Sequence, residues 1–168
     1  MCWTSKKHIN PITADKDVHV YKICLEHGLA ALPYYQTARE FYEEGKTYKA
    51  DRLDEPYQTY EDHFYEIYHG MHSYSCKCQL IQGAITSDVN LINIDTLAAK
   101  DYYMAHYNKN LRLLLVLCSI PKGATYYVNE SGEYVSESIK IEKFFAFNVY
   151  SIDKMNKILK RWDNEQNI

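Results

Sequence analysis

"LRLLLVLCSIP", Leu111 to Pro121, is a nearly continuous apolar run with Asn110 before it and a proline at its end. A run of this length bounded by turn residues reads as a strand covered on both faces. The chain should therefore be built around a sheet with this segment at its centre. Upstream, "VHVYKICL" (Val18 to Leu25) alternates apolar and polar residues, and "LAALPYYQ" (Leu29 to Gln36) follows directly after Gly28, which predicts a hairpin. "GKTYKAD" (Gly45 to Asp51) suits a third strand, whereas 51–63, with many charges and Pro56, suits a surface loop.

Downstream, "ATYYVNESGEYVSESIKIEKFFAF" supplies two or three further strands around the turn "NESG", with imperfect alternation. "YEIYHGMHSY" reads as one strand with a bulge at Gly70. Two segments carry helical signals. Asp95 caps a helix over about 95–107, and Ser151 opens another over about 151–164, with Ile152, Met155, Leu159 and Trp162 on one face. The expected fold is α+β: a mainly antiparallel sheet with these two helices, in a single domain over residues 1–168.

Composition removes several functions. A chain of 168 residues has the usual size of one domain, and 19 basic against 22 acidic residues give a net charge of −3 without a basic stripe. A duplex nucleic acid is thus not an expected partner. No run of 18 apolar residues exists and "MCWTSKKHINP" does not read as a secretory signal, so a cytoplasmic protein without a membrane partner is expected. Five irregularly spaced cysteines fit reduced thiols in packing roles.

"HGMHSYSCKC" places His69, His72, Cys76 and Cys78 within ten residues. As a zinc set it is poorly spaced, because two cysteines at i and i+2 of a strand point the same way, about 6.5–7 Å apart. No metal and no cofactor is expected. A catalytic His72 would need Cys76, Cys118 or Glu133 beside it, and spacing fixes none of them. Cys2 would become an N-terminal nucleophile if Met1 were removed, but beside Trp3 it suits packing better. An ADP-ribosyltransferase-like enzyme would need His19 on the first strand and Glu133 or Glu137 as its acid. No catalytic residue is assigned.

The ordered combination of "CWTS", "VYKI", "YEEGKTY", "GMHSYS" and "CSIPKGATYYVNESGEYVSESIKI", over residues 2 to about 142, resembles small proteins of Bacteroides-type gut bacteria and their phages. The resemblance implies a viral or mobile-element origin and assigns no chemistry. With it in view, the 17 tyrosines gain a second reading. AT-rich codons account for them as readily, but aromatic faces with a few cations also suit a nucleotide-derived ligand. The expectation is a phage-type counter-defence protein that binds and sequesters a nucleotide-derived immune signal without cleaving it. Its ligand-binding residues would be His72, Tyr74, Arg112, Lys122, Tyr126, Tyr127, Tyr35 and Lys46. The alternatives are a nucleotide-processing enzyme and an inhibitor that meets a host protein through a Tyr-rich surface. Exposed strand edges predict a homo-oligomer.

Overall fold

A computed structural model describes residues 3–27, 30–32, 41–59, 63–75, 78, 81, 113–146, 157 and 160. Its strands are β1 (Trp3–Ser5), β2 (Ile12–Thr13), β3 (Val18–His27), β4 (Ala30–Leu32), β5 (Thr47–Lys49) and β6 (Tyr57–Gln58). They continue with β7 (Tyr65–Ile67), β8 (Met71–Tyr74), β9 (Leu113–Ile120), β10 (Thr125–Val128), β11 (Glu133–Ser136) and β12 (Ser138–Ala146). The large sheet runs β2-β10-β11-β8-β3-β9-β12-β5, with β4 hairpinned onto β3, and each of its pairings is antiparallel. The strand expected at the centre is there: β9 lies between β3 and β12, and every residue from Leu114 to Ile120 is buried.

The sheet cannot be flat. Four strand spacings of about 4.8 Å separate β11 from β12 along the path, yet Glu137 alone joins them, a reach of at most about 7.6 Å. The strand β11–β12 is therefore one bent ribbon, and the sheet curls around one face. Register identifies that face, since paired residues share it. Val20 opposes Cys118, Cys24 opposes Leu114 and Cys118 opposes Ile141. These residues form the inner core with Met71, Val116, Ile120, Ile139, Ala14, Ala31, Ala124 and Tyr42.

The outer face is covered at one end by a small sheet, β1-β7-β6. Trp3 and Ile67 are paired in it, and both are fully buried against Tyr127 and Val135. Trp3 also donates its indole N–H to the Glu133 carbonyl at 2.9 Å, and Asn129 Nδ2 donates to the Thr4 carbonyl at 2.7 Å. The "NESG" turn is as expected: Asn129 Oδ1 accepts from the amides of Ser131 and Glu133, and Gly132 takes a positive φ of 78°.

The structure departs from the expected elements in two places, and two further expectations fall largely outside the described residues. Gly70 is not a bulge within a strand: β7 belongs to the small sheet and β8 to the large one, and the chain changes sheets through Gly70 at φ 146°. The loop 51–63 contains β6, which pairs with β7. Of the second hairpin arm, Ala30–Leu32 is strand, and Leu29 and 33–36 lie outside the described residues. The two expected helices also lie outside them, except Lys157 and Lys160, which are helical. The described part is thus almost wholly antiparallel β. Among the described residues, no helix is long and apolar enough to cross a membrane.

Candidate functional site

The change of sheet at residues 68–70 builds a polar group on the surface. Asp54 and His69 lock two segments together, the Asp54 amide donating to the His69 carbonyl at 3.2 Å and the His69 amide to Asp54 Oδ2 at 3.2 Å. His69 Nδ1 lies 2.7 Å from Asp54 Oδ2 and 2.8 Å from Arg52 Nη2. One nitrogen cannot serve both, because guanidinium only donates. The Asp54 carboxylate, which also takes Arg52 Nε at 3.0 Å, can only accept, so we assign Nδ1–H as its donor; in the neutral ring Nε2 is then the acceptor. Burial pushes the Asp54 carboxyl up, but the His69 hydrogen bonds and the Arg52 charge outweigh it and hold the group below its ordinary value.

Beside this pair the Tyr68 ring packs edge-on against the His69 ring, centroids 4.9 Å apart. Tyr68 is 52% exposed and the Arg52 side chain 64% exposed. A cation, an oriented imidazole and an open aromatic face therefore sit together at one corner. They offer charge for an anion, an acceptor for a hydroxyl or N–H, and a stacking surface.

His72 has a different environment. Its side chain faces the small sheet on the outer side of β8, and Nε2–H donates to the Tyr68 carbonyl at 2.9 Å. Burial pushes its pKa down to about 4, against the effect of that hydrogen bond and helped by the nearby Lys22 charge. At neutral pH the ring is uncharged with one nitrogen committed, so it gives a phosphate no cation.

On the inner face, Lys22 is buried and donates to the His72 carbonyl, with its ammonium 5.7 Å from the Tyr42 ring centre. Burial lowers its pKa. The thiols nearby are inert: burial raises Cys24 to about 12 and Cys118 well above the ordinary thiol value.

No family model matches this chain. Neither a curated protein nor a solved structure matches it. The residues expected from sequence to bind a ligand distribute unevenly among these groups. Tyr126 and Tyr127 point to opposite faces, as strand neighbours must. Tyr127 is buried against Trp3, while Tyr126 packs on the inner core beside Tyr134, rings 5.7 Å apart. His72 and Tyr74 share the outer face with Tyr127, and Tyr74 is buried. The Lys46 ammonium is bridged to Glu43.

The turn amides are spent too. The Lys122 amide donates to Asp17 at 2.9 Å and the Gly123 amide to the Ala14 carbonyl at 2.7 Å. Tyr35, Arg112, Cys76 and Cys2 lie outside the described residues. Glu133 is half-buried, raised by burial against a hydrogen bond from Asn129, and β8 separates it from β3, where His19 sits. Glu137 accepts the Thr125 amide at 2.9 Å.

Sequence reading missed Arg52, Asp54 and Tyr68. The available signal was Arg-x-Asp: on an extended segment the two side chains point the same way.

Proposed function

We propose that the protein binds a small nucleotide-derived molecule at the Arg52, Tyr68 and His69 corner and holds it without turnover. The observation that supports this is one contiguous arrangement of exposed guanidinium, imidazole acceptor and open tyrosine ring. Phosphate oxygens suit Arg52, a base suits the Tyr68 face, and a ribose hydroxyl suits His69 Nε2. In a phage-type setting, such a protein would act in the host bacterial cytoplasm by withdrawing an immune signal.

Stacking a base on an aromatic ring is worth roughly 1–3 kcal/mol, and 1.4 kcal/mol is tenfold in affinity. Tyr68→Ala and Arg52→Ala should each weaken binding by about tenfold or more, whereas Tyr126→Ala should leave it unchanged. Calorimetry with cyclic nucleotides and cyclic ADP-ribose isomers measures this. Absence of heat across the panel sinks the proposal.

A second reading rests on the Asp54–His69 pair, since a carboxylate that fixes an imidazole tautomer also prepares a general base. A nucleotide-processing enzyme would use His69 Nε2 in that role. Chromatography of the recovered ligand separates the readings: an intact molecule supports sequestration, and a cleaved product absent with His69→Gln supports the enzyme.

A further inference from the structure

We propose that the inside of the curled sheet carries an anion-binding spot, formed by the Lys22 ammonium and the Ser73 hydroxyl, that receives a carboxylate or phosphate oxygen. It is separate from the Arg52 corner and does not depend on it. Lys22 is 6% exposed and Ser73 fully buried. A buried amine that keeps its proton is ordinarily paired with a carboxylate, because an unpaired charge removed from water is costly and burial otherwise drives the proton off. Among the described residues Lys22 meets none: its contacts are the His72 carbonyl and the Tyr42 ring. Cys24 and Cys118 stay protonated and supply no counter-charge.

Ser73 provides the second observation. Its Oγ has no hydrogen-bond partner, whereas Ser136 on the same inner face donates to the Ser138 carbonyl at 2.9 Å. Buried hydroxyls are nearly always satisfied, so an orphan calls for a missing acceptor. Register puts Ser73 on the face that Lys22 occupies: Ser73 opposes Tyr134, which packs on the inner core, and Lys22 opposes Val116 within it. The carbonyl that Lys22 reaches belongs to the residue before Ser73, which brings ammonium and hydroxyl to the same place. One oxyanion oxygen would accept from both and neutralise the charge. The interior of a curled sheet is also a common seat for small ligands.

The test is thermal unfolding of the full chain at neutral pH in sodium phosphate or sodium acetate, against sodium chloride at matched ionic strength. A ligand that binds only the folded state raises the midpoint with saturation. The expected result is such a rise for at least one of the two anions, lost in Lys22→Met, at least tenfold weaker in Ser73→Ala, and retained in Arg52→Ala. Without added anion, Ser73→Ala should be as stable as the parent or more so, since the hydroxyl has no partner to lose. No rise above the chloride control overturns the proposal, as does an equal rise in Ser73→Ala, a readout that survives even if Lys22→Met fails to fold.

Discussion

Gly70→Ala should lower the unfolding free energy by about 2–5 kcal/mol, through two separable causes. At φ 146° the backbone is in a region that L side chains rarely adopt, which alone costs on the order of 1–3 kcal/mol. The added Cβ would also stand 2.3 Å from Val135 Cγ1 and 2.9 Å from Leu53 Cδ1. Leu53 can swing its terminal methyl aside. Val135 cannot, being β-branched, fully buried and locked opposite His72 in the ladder. Gly45 and Gly123 serve as references: both have positive φ, 83° and 89°, with nothing within 4 Å of an added Cβ, so their alanine variants should lose only about 1 kcal/mol.

Urea midpoints at unchanged slope measure the difference. The double variant Gly70→Ala with Val135→Ala should lose less than the two single losses added together. Equal loss at Gly70 and Gly45 would show that the sheet shifts freely at this position. The effect bears on function because Gly70 follows His69, whose amide and carbonyl are both bonded to Asp54. A displaced Gly70 would pull the imidazole from its carboxylate, so nucleotide binding should fall with stability.

The centre of the sheet was readable from sequence because burial on both faces leaves an uninterrupted apolar run, and Leu113–Ile120 carries one. The hairpins at "NESG" and after Gly28 were readable from turn chemistry. What escaped has a common origin: the strand pattern is local and the sheet assignment is not. "YEI" and "MHSY" look alike as strands, and only the φ of Gly70 and the identity of their partners reveal two sheets. At Glu137 one residue suffices to bend β11 into β12, and the register shift between Ile141 and Lys143 adds a bulge. Together they explain the imperfect alternation of that stretch. Lys22 misled in the opposite sense. In "VHVYKICL" it is the polar residue that makes the strand look half-solvated, yet it points into the inner face beside Val20 and Cys24. Arg52 and Asp54 meet His69 across separations of 17 and 15 residues, which no helix or strand period encodes.

Acidification should destabilise the protein through His72, and the size is set by where its pKa moves. The ring ionises at about 4 in the folded state and near 6.5 when unfolded. Above pH 6.5 both states hold it neutral and no pH dependence arises. Between 6.5 and 4 the unfolded chain takes up a proton that the folded chain refuses, so stability falls as the pH falls, by up to about 3 kcal/mol, and levels off below 4. The cause is burial beneath the small sheet, reinforced by the charge on Lys22. Other groups titrate in this range, Asp54 and Glu130 held low and Glu133 raised, so the measurement is a difference. His72→Gln keeps a donor for the Tyr68 carbonyl and cannot ionise. Urea unfolding of both proteins from pH 7 to pH 4 should show the parent losing stability relative to the variant, with most of the divergence between 6 and 4.5. Parallel curves would mean that His72 is solvated and free to charge. It would then be a cation beside the Arg52 corner, able to add charge to an anion bound there.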